Sequence, residues 1–208
     1  MGHILSSLLL ALSGNVDNLA VGIAYGVKHL QIRYLANVLI AGVSSVGTAI
    51  SMLAGAAISK FLPDVAANAL GSGVLILIGA WGIWETLKTH RQSRQHKQPS
   101  SPDELAYSTY IDDPARVDVD KSRSVELKEA WLLALALTIN NLASGIGGGI
   151  SGLDITLTTA FTFIASLLAI SGGFWLGDNM SFRFSGLWSG ILSGVLLIGL
   201  GIYEYFVP

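Results

Sequence analysis

Asp17-Asn18-Leu19-Ala20-Val21-Gly22-Ile23-Ala24-Tyr25-Gly26 is echoed in the second half of this 208-residue chain by Asn140-Asn141-Leu142-Ala143-Ser144-Gly145-Ile146-Gly147-Gly148-Gly149. Asn18/Asn141, Leu19/Leu142, Ala20/Ala143, Gly22/Gly145, Ile23/Ile146 and Gly26/Gly149 match at one constant offset. The first copy lies in an apolar run from Leu5 to Val27. As a helix that run is about 35 Å long, enough to cross a bilayer core of about 30 Å. Asp17 then sits roughly 15–18 Å from either end, too deep for its short side chain to reach water. An ionisable group at such depth is expensive and marks an ion, proton or substrate path.

Working outward, six apolar stretches reach spanning length, at roughly 4–27, 36–59, 66–87, 130–150, 155–177 and 184–207. Gly82-Ile83-Trp84-Glu85 mirrors Gly201-Ile202-Tyr203-Glu204, and Gly71 mirrors Gly190, at an offset four residues shorter than the first. Three spans per half is an odd number, so the second half must enter the membrane from the opposite side. The expected fold is therefore an all-α polytopic membrane protein of six transmembrane helices, built as two inverted three-helix repeats. Residues 1–87 form the first repeat, 88–129 a charged linker and 130–208 the second. Secondary transporters often have this architecture, with the binding site near the midplane where the halves meet.

Composition agrees: 51% of the residues are hydrophobic and 12% charged, which leaves no room for a separate soluble core. The first span is not read as a cleaved signal peptide, since no Lys or Arg precedes it. The absence of cysteine excludes disulfides and thiolate metal sites. Eleven Lys and Arg fall on the face holding the linker (Lys28, Arg33, eight from Lys88 to Lys128, and Arg183), against Lys60 alone on the other. By the positive-inside rule, the linker is expected in the cytoplasm and both termini outside, in a bacterial inner membrane. The linker also carries eight acidic residues and reads as a solvated tether. His90 and His96 within it lack metal-ligand spacing.

The candidate ion-binding residues are Asn15, Asp17 and Asn18 in the first half and Thr138, Asn140, Asn141 and Ser144 in the second, with Asp17 and Asn140 as the metal-facing pair. All offer oxygen, which suits Mg²⁺, Ca²⁺ or Mn²⁺ better than zinc or copper. Ser44, Ser45 and Thr48, with Ser166 and Ser171, could extend an oxygen-lined path or equally bond their own backbone. Gly22, Gly26, Gly145 and Gly149 are expected to pack helices, since small residues four apart let backbones approach; Gly186, Gly190 and Gly194 repeat the spacing. Glu85 and Glu204, at span ends, are expected to be solvated. Trp81, Trp84, Trp131, Tyr203 and Tyr205 suit interfacial belts.

With Asp17, Ala20 and Val21 as an Asp-x-x-Ala-Val element, the chain resembles the MntP-type manganese efflux pump family of the LysE superfamily. Gly22, Tyr25 and Gly26 make it more similar to the YtaF-like sporulation membrane protein branch. The resemblance implies export of a divalent cation, with an Asp in each half-repeat. Asp17 matches the first; the second position is Asn140, which cannot ionise, so a divalent ion would meet one carboxylate.

The function expected is a secondary exporter in which Asp17 alternates between proton-bound and cation-bound states. Burial favours the protonated carboxyl and an adjacent cation favours the ionised one. The partners expected are lipid, a transported cation (Mn²⁺ or Ca²⁺) and a coupling proton, with a homodimer left open and no nucleic acid. No resident cofactor is expected. No phosphate-binding loop is present, and no buried His, Cys or paired carboxylates suggest an enzyme. Two other readings stay open: an exporter of amino acids or other small solutes, and a non-transporting membrane scaffold derived from an exporter.

Overall fold

The computed structural model describes residues 2–95, 124–125, 127–180 and 186–206. Its elements are α1 (Gly2–Val27), β1 (Gln31–Ile32), α2 (Tyr34–Ser59), α3 (Asp64–Gln95), β2 (Ser124–Val125), α4 (Leu127–Ile150), α5 (Ile155–Met180) and α6 (Gly186–Phe206). Long apolar runs become helices here because a helix satisfies its backbone internally, the condition for lying in lipid. Among the described residues, five helices are long and apolar enough to cross a membrane, and α4 makes six if its two bent segments count as one span. The chain is a polytopic helical membrane protein.

Local chemistry sets where the helices stop. The end of α1 closes with Leu30 N–H donating to Tyr25 C=O (3.0 Å) and His29 N–H to Gly26 C=O (2.9 Å). His29 is left-handed at φ +54°, the geometry of a Schellman cap. The end of α4 repeats it: Leu153 N–H bonds Gly148 C=O (3.1 Å), Gly152 N–H bonds Gly149 C=O (3.3 Å), and Gly152 has φ +77°. Asp154 then caps α5 through Oδ1 on Leu157 N–H (2.8 Å). Pro63 immediately precedes α3, where its missing N–H is harmless.

Two features refine the expected spans. α3 runs on to Gln95, so the first residues of the 88–129 segment are helical, and Ser124–Val125 pairs in parallel with Gln31–Ile32. The remainder of the linker, 96–123, lies outside the described residues. α4 bends by 43° between Glu129–Ile139 and Asn141–Ile150. No proline causes this. Thr138 Oγ1 donates back to Ala134 C=O (2.7 Å) and Ser144 Oγ to Asn141 C=O (3.0 Å), and such back-bonding bends helices.

The closest helix partnerships are α1 with α5, α2 with α4, and α3 with α6. The first two are glycine crossings. A Cβ on Gly22 or Gly26 would press on the backbone of α5 beside Gly173 and Gly177. One on Gly145 would meet Ser51, and one on Gly149 the Met52 carbonyl of α2; one on Gly55 of α2 would meet the Ile146 carbonyl. Two apolar clusters seal the bundle. One, near the linker end, includes Tyr25, Leu30, Ile40, Leu133 and Ile170; the other, toward the chain termini, holds Leu10, Met52, Leu75, Leu153, Leu197 and Leu200. Between them along the helices lies a buried polar layer.

Candidate functional site

α1 carries the first part of that layer. Asp17 is 3% exposed and accepts a hydrogen bond at Oδ1 from Ser189 Oγ of α6. One residue on, Asn18 uses Nδ2 twice, toward Asn15 Oδ1 (2.7 Å) and Ser166 Oγ of α5 (2.8 Å). Asn15 in turn donates to Ala11 C=O (2.7 Å) and, at 3.4 Å, to Thr162 C=O. These bonds hold the amides so that Asn18 Oδ1 is buried with no hydrogen-bond partner among the described residues. A buried carbonyl oxygen left this way is costly unless something transiently fills it.

α4 supplies the second part. Asn141 is 3% exposed, and neither Oδ1 nor Nδ2 has a partner among the described residues. Its amide lies against Gly14 of α1: a Cβ built on Gly14 would stand 2.6 Å from Asn141 Oδ1. Gly14 thus lets the polar segments of α1 and α4 meet. Thr138 instead turns to α2, with Ser44 Oγ 3.5 Å from its hydroxyl and its methyl against Gly47. Thr138 and Ser144 both spend their hydroxyl protons on their own helix. Asn140 stands at the bend of α4, and its side chain lies outside the described residues.

The structure therefore joins Asn15 and Asn18 in one hydrogen-bonded group toward α5, ties Asp17 of the same helix to α6 through Ser189, and sets Asn141 against that helix. Ser166 joins that group, whereas Ser45 and Thr48 bond their own carbonyls. Ser171 accepts from Asn37 (2.8 Å). Gly22, Gly26, Gly145 and Gly149 all sit at close helix approaches. No group of three His, Cys, Asp or Glu residues able to hold a metal occurs among the described residues. The donors on offer are amide, hydroxyl and a single buried carboxylate at this level, all hard oxygen.

Glu204 departs from expectation. It is 3% exposed, not solvated, and accepts a hydrogen bond from Ser6 Oγ of α1. Its counterpart Glu85 is only half-buried, with Lys88 Nζ at 3.8 Å. The difference is tertiary, since the first turns of α1 cover Glu204. Sequence reading also passed over Ser189, Ser193 and Ser6, because serine in an apolar helix is common and silent about which neighbour it faces. Gly173-x-x-x-Gly177 carried a legible spacing signal.

Against known proteins, the chain is 31% identical to the "Probable sporulation protein YtaF" of Bacillus subtilis (strain 168), over 97% of this chain and 99% of that one. It is 25% identical to the "Putative manganese efflux pump MntP" of Oceanobacillus iheyensis, over 98% of this chain and 97% of that protein. A protein of the same name from Corynebacterium glutamicum (strain R) is 27% identical over 95% of each. No family model matches the chain, and no solved structure matches it.

Proposed function

The chain belongs to the family of YtaF and the MntP proteins, and from that premise we propose that it is a secondary transporter exporting a divalent cation, Mn²⁺-like, in exchange for protons through a site around Asp17. The observation that carries this reading is the polar layer itself. Asp17 is buried and accepts a bond from Ser189, and the Asn18 and Asn141 carbonyl oxygens, on facing helices, have no partners among the described residues. Simple interhelical glue would pair those atoms; an ion that visits and leaves would account for their being spare. With one carboxylate at this level, waters or backbone carbonyls must complete the shell of a six-coordinate ion.

An inverted repeat, with halves 1–87 and 130–208, is supported by how the helices exchange. Swapping α1 with α4, α2 with α5 and α3 with α6 turns the α1–α5 pair into α4–α2 and leaves α3–α6 unchanged. The Schellman caps at His29 and Gly152 fall at the offset that aligns Asn18 with Asn141. So do Leu10 with Leu133 and Leu30 with Leu153, one of each pair in either apolar cluster. Rocking one half against the other would open the clusters in turn, the alternating access of such carriers. The charge bias supports a cytoplasmic linker end.

The test is flux in proteoliposomes holding the purified protein, with Mn²⁺, Ca²⁺, Mg²⁺ and amino acids as separate arms, with and without a pH gradient. Gradient-driven Mn²⁺ movement is expected, and its loss in Asp17→Asn. Undiminished flux in that variant refutes the assignment of Asp17. Movement of amino acids alone transfers the site to a small solute, and silence in every arm favours a scaffold.

A further inference from the structure

α1 and α6 share a polar seam that does not end at Asp17. Ser189 bonds Asp17, Ser13 Oγ donates to Ser193 C=O (3.0 Å) with the two hydroxyls 3.4 Å apart, and Ser6 bonds Glu204. The seam thus joins two buried carboxylates, about 16 Å apart along α1 by the rise from Ser6 to Asp17. Leu10 of α1 and Leu197 and Leu200 of α6 interrupt it, buried with Leu75 and Leu153. Beside Ser6, the Ser7 hydroxyl is fully buried and has no partner among the described residues.

We propose that Glu204 is the proton-loading group of the transporter, taking up the coupling proton at the terminus-bearing end and passing it to Asp17 when the leucine barrier opens. The inference rests on the transport reading above. A lone carboxyl with serine hydroxyls is too poor in ligands for a divalent ion but sufficient for a proton, which needs one oxygen. As a mere latch between α1 and α6 the carboxyl is an expensive choice, since a neutral amide would accept the same Ser6 bond. Ser6 is the one hydrogen-bond partner of Glu204 among the described residues. Of the titratable groups on the elements packed around it, Tyr203 and Tyr205 stand on α6 itself, while the side chains of His3 on α1 and Asp64 on α3 lie outside the described residues. In the transfer, the Glu204 carboxyl releases its proton, water entering past the separated leucines and the Ser13 and Ser193 hydroxyls relay it, and an Asp17 oxygen receives it as the cation leaves.

Two measurements test this. Dicyclohexylcarbodiimide reacts with protonated carboxyls in apolar surroundings. In membranes holding the wild-type protein it should label Glu204, mapped by peptide mass spectrometry. No adduct at Glu204 at any pH overturns the proposal without touching the transport reading. In proteoliposomes, Glu204→Gln, which keeps the Ser6 bond, should lose pH-gradient-driven Mn²⁺ accumulation but keep Mn²⁺/Mn²⁺ counterflow, whereas Asp17→Asn loses both. Retained gradient-driven accumulation in Glu204→Gln overturns the role, and so does loss of counterflow as well, which would make Glu204 a latch. A wild-type protein silent in both assays sinks the transport reading and this role with it.

Discussion

Gly14 and Asn141 show how one missing side chain can shape a site. The Asn141 amide occupies the space a Cβ on Gly14 would need, and its oxygen is left without a partner among the described residues. Gly14→Ala should therefore push the amide aside. Because the amide end can rotate, the expected loss of stability is below about 1 kcal/mol, yet the apparent affinity for Mn²⁺ should fall. Thermal unfolding in detergent and concentration-dependent uptake measure the two separately. Unchanged affinity would remove Asn141 from the ion path. At this scale Asp17 was legible because a carboxylate deep in an apolar run has no ordinary explanation. Glu204 was not, because a glutamate near the end of a span is normally solvated, and only the docking of α1 buries it.

Helix crossings depend on backbones touching, and the glycines differ sharply in what surrounds them. A Cβ on Gly177 of α5 would lie 2.2 Å from the Ile23 carbonyl oxygen of α1, and one on Gly26 equally close to Phe174 of α5. Backbone cannot step aside as a side chain can, so Gly177→Ala should destabilise the protein by about 1–3 kcal/mol. Gly82 on α3 has nothing within 4 Å of the same construction, so Gly82→Ala should be neutral or stabilising by up to about 1 kcal/mol. Denaturant titration of both variants checks the contrast, and equal effects would mean that α1 and α5 do not cross through these glycines. The Gly-x-x-x-Gly spacing announced close packing in the sequence, but gave no partner. It did not foretell the bend of α4, which arises from where Thr138 and Ser144 place their protons.

Across the whole molecule, a polar layer lies between two apolar clusters, and in the sequence eight of the twelve Lys and Arg fall between Lys88 and Lys128. Because the chain has no cysteine, single substitutions report sidedness without background. Lys28→Cys and His29→Cys should react with an impermeant maleimide only when it reaches the cytoplasmic face of inverted vesicles. Lys60→Cys and Asp154→Cys should react only from outside intact cells. Labelling of all four from one side would contradict the proposed orientation and the inverted insertion of the halves together.

Hydropathy, the positive-inside charge bias and the matched segments around Asp17 and Asn141 determined a multi-span helical membrane protein with a mid-depth polar site. Those properties depend on transfer between water and lipid, which each residue expresses locally. Tertiary structure alone decided that α1 lies between α5 and α6, that Ser189 of α6 bonds Asp17, and that Glu204 is covered. Among helices in lipid, where every outer face is apolar, partner choice comes from packing and from a few hydrogen bonds. Neither is written in the hydropathy of a single segment.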